Sequence, residues 1–314
     1  DSSSGTVNFA SALSGNNNLT ITGNADIDGA ITNVIHLSIS GTTNLGANIT
    51  VANGATQTYT GAVTLSANVT LSIASSSGDI TFSSTIDSED STRRNLTIDA
   101  GPADADRVTF DGIVGGIQGV GVIAITGSFD LNAAIADATS LSVSLGGEAI
   151  STGGANIAAN VTTTGTQTYE GILGTSGGSR TLQGSTIQAQ YQIHGGSQDL
   201  TIIGNLELSG GGGISDIVNF SVSGTSNLSP GADAFLIQTT GTQTYSGAVT
   251  LGANIRFYNN SNSNFIFSDT IDSDSSTRNL TLSPGTGTIT VSGAIGGSQA
   301  IGTLTISDSG GSTF

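Results

Sequence analysis

Apolar residues in this chain fall at every second position, in short runs parted by Gly, Asn, Asp and Ser. In NLTI, Leu96 and Ile98 share one face and Thr97 takes the other. In GAVTL, Val63 and Leu65 share a face, and the same parity carries back to Tyr59 and Gln57. A period of two marks a half-buried β-strand. The parting residues tolerate turn and left-handed backbone. No window holds an apolar stripe at i, i+3, i+4 and i+7, and Gly and β-branched residues disfavour helix throughout. The pattern predicts an all-β protein.

The runs recur as whole phrases. TQTYTGAVTL (Thr56–Leu65) returns as TQTYEGIL (Thr166–Leu173) and TQTYSGAVTL (Thr242–Leu251). Each closes a longer phrase, His36–Leu65, Ser140–Leu173 and Asn219–Leu251. A shorter phrase pairs two strands: GDITFSSTIDSEDSTRRNLTID (Gly78–Asp99) and NFIFSDTIDSDSSTRNLTLS (Asn264–Ser283) are nearly the same text. Looser copies open at Gly5, Arg107 and Gly287, and a degenerate one spans Arg180–Ile202. Recurrence every roughly 18 to 28 residues is the range expected of one coil of a β-solenoid. A single coil cannot bury its own apolar face, but stacked coils share a continuous core, Leu over Ile and Thr over Thr. A sandwich would instead require separate long-range partners for each strand.

The expectation is a parallel β-helix of irregular coils, right-handed by the rule for parallel crossovers. It forms one continuous domain over residues 1–314, a window or subunit of a longer array. About fifteen coils at about 4.8 Å each would make a rod on the order of 70 Å long. Neither end carries a recognisable cap. DSGGSTF (Asp308–Phe314) resembles DSSSGTVNF (Asp1–Phe9), so the ends are expected to stack on copies of one another or to continue the array.

Composition narrows the function. Regular β-branched and aliphatic spacing excludes disorder, and the lack of a Gly-X-Y period excludes collagen. Acidic residues outnumber basic ones 23 to 6, for a net charge of −17, and there is no Cys. That charge repels nucleic acid and anionic lipid, and the lack of Cys excludes a disulfide framework. No apolar run is long enough for a membrane-spanning helix. The expected partners are copies of the chain, end to end or laterally, and surface polysaccharide, with neither nucleic acid nor direct membrane insertion.

The repeated GTQTYxGAVTL, the xITFSxTIDS…RNLTL phrases and the GAIGGxQxxGxLTI ending resemble the giant β-strand-repeat surface proteins of bacteria, which are similar in turn to filamentous-haemagglutinin-type adhesins. The resemblance covers most of the chain. It implies a right-handed parallel β-helix, export, and a role in adhesion, biofilm matrix or extracellular fibres at the cell surface. It implies no cofactor and no catalytic set.

The residues themselves offer little chemistry. β-Helical polysaccharide-cleaving enzymes need clustered carboxylates, or a Lys or Arg base, beside a cationic cleft. This chain has no Lys, and Arg93, Arg94 and Arg278 lie beside acidic loops, where pairing accounts for them. His36 precedes a strand and His194 lies in a turn, and both read as structural or solvent-facing. With helix disfavoured throughout, no strand-to-helix nucleophile elbow supports a triad. The chain is therefore read as non-enzymatic, with a polysaccharide-binding or polysaccharide-cleaving β-helix as the alternative.

Asp87, Glu89 and Asp90, and in the repeat Asp269, Asp272 and Asp274, are the candidate Ca²⁺ ligands, since oxygen-rich loops can hold that ion. Asp104, Asp106 and Asp111 form a third group. The competing reading is solvated loops balanced by the adjacent Arg. Six Asn-x-Thr sequons begin at Asn18, Asn48, Asn68, Asn95, Asn160 and Asn279, where Asn also serves to open a strand from a turn. Threonine ladders raise ice binding. Thr56 and Thr58 fit locally, but coils of unequal length are expected to spoil the flat face it requires. Tyr59, Tyr169 and Tyr245 are expected inside or at corners, with Gln57, Gln167 and Gln243 hydrogen-bonding near them as marks of coil register.

Overall fold

A computed structural model describes residues 5–74, 78–101, 106–145, 154–231 and 234–314. Asp1–Ser4 and Asp104 lie outside the described residues. The described residues hold no helix. Their short strands stack in parallel coils, a β-solenoid of about 14 turns. The chain divides into two compact units, Asp1–Gly165 and Thr166–Phe314.

In the first unit the coils build three ladders. The first ladder sets Val7 against Ala25, Thr43, Val63 and Ile86 in turn and continues through Val114 and Ile135. The second sets Leu13 against Ile31, Ile49, Leu71, Ile98, Ile125 and Val143. The third sets Ile21 against Ile39, Tyr59, Phe82, Phe110 and Leu131. Alternation explains the packing: in Ile49–Val51 and Val63–Leu65 the end residues are buried and the middle Thr faces outward. Like apolar residues thus form continuous inward columns, and each fully buried aliphatic contributes about 1.5–3 kcal/mol.

Coils differ in length. A contact one coil apart spans 18 residues from Asn8 to Asp26 but 28 from Gly78 to Asp106. The extra residues go into the links between strands. The second ladder shifts register between Thr32 and Val34. The third runs from Leu19 to Leu131 with no shift.

The second unit has three ladders of its own. One sets Ile202 against Val222, Tyr245, Phe267 and Val291. Another joins Leu206, Ser226, Val249 and Ile271. The last joins Ile193, Ile214, Ile237, Phe257, Leu282 and Ile306. Contacts one coil apart span 19 residues from Ser197 to Asp216 and 25 from Asn254 to Asn279.

Candidate functional site

The repeated Thr-Gln-Thr-Tyr run builds a buried crossbar. Strand alternation turns Gln57 and Tyr59 inward, and both are fully buried. Tyr59 Oη donates to Gln57 Oε1 at 2.9 Å. Gln57 Nε2 donates across the core to the Ser72 carbonyl at 2.9 Å, on another face of the solenoid. Tyr169 and Gln167 repeat the pair, with Gln167 Nε2 on the Gln183 carbonyl. Tyr245 and Gln243 do so again, with Gln243 Nε2 on the Tyr258 carbonyl. A buried amide must satisfy its donors and acceptor inside the protein, and this arrangement ties two faces of one coil together. Burial alone pushes all three phenols far above their ordinary value. Around Tyr59 the core is an aromatic file: Phe82 stacks on it at 4.9 Å, and Phe110 and Phe129 follow edge-on.

The Gly two residues after the Tyr has a steric reason. A Cβ on Gly61 would lie 2.3 Å from the Gly41 carbonyl oxygen, and one on Gly247 would lie 2.6 Å from that of Gly224. Corner glycines let successive backbones stack at strand spacing.

Other corners use side-chain acceptors. Asn48 Oδ1 accepts the Thr70 N–H, Asn68 Oδ1 that of Asn95, Asn95 Oδ1 that of Val122, and Asn279 Oδ1 that of Thr303, all at 2.8 Å. Four of the six sequon asparagines therefore bridge one coil to the next. Asn219 Oδ1 accepts from Thr242 N at 2.9 Å. His36, which opens the matching phrase in the first unit, takes the same part: its Nδ1 accepts from Thr56 N at 3.1 Å. His194 Nε2 lies 3.5 Å from Asp216.

The acidic loops are held by their own surroundings. Asp87 is buried, and its Oδ1 accepts the N–H groups of Ile117 and Gln118 in the next coil. Asp272 does the same for Ser298 and Gln299. Asp269 accepts from Thr270 N, and Glu89 is exposed. The Arg278 side chain, and after it the Ser276 N–H, hold the Asp274 carboxyl below the usual carboxylate range. The Thr92 N–H does so first for Asp90, with Arg94 contributing less. In the third group, Asp106 Oδ1 accepts from Gly78 N and Asp111 Oδ1 from Asn132 Nδ2. Among the described residues no group of three or more His, Asp or Glu is placed to hold a metal ion.

One arrangement extends beyond the local Thr56 and Thr58 ladder legible in the sequence. On the third ladder of the first unit, Thr20, Ser38, Thr58, Thr81 and Thr109 stand in one outward column, each paired with the next. Two residues further along each strand come Thr22, Ser40, Thr60 and Ser83, all exposed, with backbone bonds that carry the register past the strand ends. The signal is a hydroxyl-x-hydroxyl triplet recurring once per coil: TIT, SIS, TYT and TFS.

Stacked parallel coils, inward crossbars and bridged corners define the chain as a parallel β-solenoid. No family model matches the chain, and neither a curated protein nor a solved structure matches it. Among the described residues no helix is long and apolar enough to cross a membrane, which says nothing of membrane crossing by strands.

Proposed function

We propose that this chain is a non-catalytic structural segment of an extracellular surface fibre, a stiff β-solenoid that spaces or adheres rather than turns over a substrate. The observation that carries this reading is the crossbar, present three times and buried from all ligands. Each crossbar, with the bridged corners, puts polar chemistry into holding coils in register instead of into a cleft. The resemblance of the repeated phrases to bacterial surface proteins supplies the extracellular setting, and copies of the chain are the proposed partners. The test is force spectroscopy and electron microscopy on the intact chain. A structural spacer images as a stiff rod or filament and unfolds at high force; a flexible particle that yields without a force peak refutes the reading.

A second reading, polysaccharide binding, draws on Arg256. Its guanidinium lies 4.7 Å over the Tyr258 ring on an outward face of the second unit, an arrangement that suits an acidic sugar. Binding to a panel of uronic-acid polysaccharides, lost in Arg256→Ala, separates this reading from the first.

A further inference from the structure

We propose that the two hydroxyl columns on the third ladder of the first unit form an ice-binding face. Neighbouring rungs of a parallel ladder stand about 4.8 Å apart, and outward residues two apart on a strand stand about 6.6 Å apart. The columns therefore present oxygen atoms and methyl groups on a rectangular grid. Hexagonal ice repeats its oxygens along two perpendicular directions at spacings close to these.

Three observations favour ordered water over other occupants. The face keeps its register: coil length varies, but the ladder carries no register shift from Leu19 to Leu131, so the unequal coils do not displace one rung along the next. The hydroxyls are free to act outward. Thr58, Thr81 and Thr109 make no side-chain hydrogen bond among the described residues, and within the columns only Ser40 is engaged, by Gly23 N. The grid is also uncharged in a chain of net charge −17, and it ends where Asp111 and Asp130 begin. It matches a neutral lattice. It lacks an outward aromatic ring on which a sugar would stack.

The equivalent face of the second unit does not continue the pattern. There Ile266 interrupts the column between Thr244 and Thr290, and the Ser221 hydroxyl is engaged with Thr201.

The experiment is ice-recrystallisation inhibition and crystal shaping by the intact chain, with substitutions on two faces. Thr81→Tyr breaks the grid at its centre, and Thr97→Tyr places the same bulk outward on the second ladder. The intact chain is expected to inhibit recrystallisation. Thr81→Tyr should raise the concentration required on the order of tenfold, about 1.4 kcal/mol of contact, while Thr97→Tyr leaves it unchanged. If Thr81→Tyr melts early, Thr60→Lys, exposed beyond the strand end, gives the same reading in a folded chain. The proposal is overturned if the intact chain leaves ice growth unaltered. It is also overturned if Thr97→Tyr costs as much as Thr81→Tyr, or if the face retains crystalline cellulose or chitin, and loses it in Thr81→Tyr, with no effect on ice.

Discussion

The same words are set in two different cores. In the first unit, the second strand after Thr56–Tyr59 is Val69–Ile73, so Leu71 and Ile73 line the core beside the crossbar. In the second, the second strand after Gln243–Tyr245 is Asn254–Asn259, which places Phe257 and Asn259 there. Both Tyr rings stack on a Phe of the next coil, Tyr59 on Phe82 at 4.9 Å and Tyr245 on Phe267 at 5.1 Å. Both Gln amides reach the corresponding carbonyl, of Ser72 and of Tyr258. What differs is the company. Gln243 Nε2 also meets Thr239 Oγ1 at 3.1 Å, and Asn259 Nδ2 bonds Thr239 and the Gly241 carbonyl. The Tyr245–Gln243 bond is longer, 3.3 Å against 2.9 Å. The phrase brings its own bond wherever it lands. Its neighbours decide how many further bonds hang on it.

The largest effect expected is alkaline unfolding, shared by both units. Burial holds the phenols of Tyr59, Tyr169 and Tyr245 above their ordinary value, so each ionises more readily in the unfolded chain. Their stabilising contribution is complete below about pH 10, the ordinary phenol range, and is lost as pH rises above it. Absorbance of phenolate and β-sheet circular dichroism should change together on raising the pH. Ionisation of all three phenols with the sheet signal intact would contradict the burial.

Substitution then separates the units. Tyr59→Phe leaves Gln57 Oε1 buried without its donor, a cost of about 1–3 kcal/mol. Tyr245→Phe breaks the longer bond and should cost less. Gln→Leu should reverse the order. Gln57→Leu orphans the Tyr59 hydroxyl and removes one donor from Ser72, whereas Gln243→Leu also takes a donor from Thr239. That hydroxyl keeps Asn259 and the Gly241 carbonyl, so the addition is that of one lost hydrogen bond, about 0.5–1.5 kcal/mol. Denaturant midpoints of the four variants test this crossing. The same order in both series would mean that the neighbours do not matter.

Much of this was legible in the chain. Alternation at Leu96 and Ile98 marks strands, and the recurrence of TQTY marks coils of the right length. Parity alone turns Gln57 and Tyr59 inward like Val63 and Leu65, and Gly61 between them marks the corner that parts the third ladder from the first. Partners across the core were not legible. Ser72 accepts from Gln57 because two faces of one coil meet, and no local rule names the carbonyl that will be opposite. The partners of the acidic loops are hidden for the same reason: Asp87 and Asp90 are close in sequence, but Asp87 turns to the next coil and Asp90 to Thr92. Unequal coil lengths conceal the hydroxyl grid in the sequence, because the ladder depends only on strand register.

A smaller effect tests the corner itself. His36 and Asn219 open matching phrases and accept the N–H of Thr56 and Thr242. If acceptor geometry is all that the corner requires, His36→Asn should preserve stability while His36→Ala costs about 1 kcal/mol. Asn219→Ala should cost a similar amount, because Asn219 Nδ2 and Asp199 Oδ1 extend that corner by one more bond at an exposed site. Equal losses in His36→Asn and His36→Ala would show that the imidazole does something other than accept.

The smallest change expected is a gain. Thr43 and Ser226 occupy the same place in GTTNL and GTSNL, and both hydroxyls are buried without a hydrogen-bond partner. Thr43 stacks between Ala25 and Val63, and Ser226 stacks between Leu206 and Val249. An unpaired buried hydroxyl costs about 1–3 kcal/mol on mutational scales. Thr43→Val exchanges it for a methyl group of nearly the same shape and should raise the melting temperature, by an amount at the lower end of that range because Thr carries one methyl already. Ser226→Val adds two methyl groups where one hydroxyl stood, so the same relief competes with overpacking, which costs about 1–3 kcal/mol in a filled core. The first unit should therefore gain where the second stays level or loses. A gain of equal size at both positions would mean that the core around Leu206 and Val249 holds spare volume and that the second unit is the more loosely packed of the two.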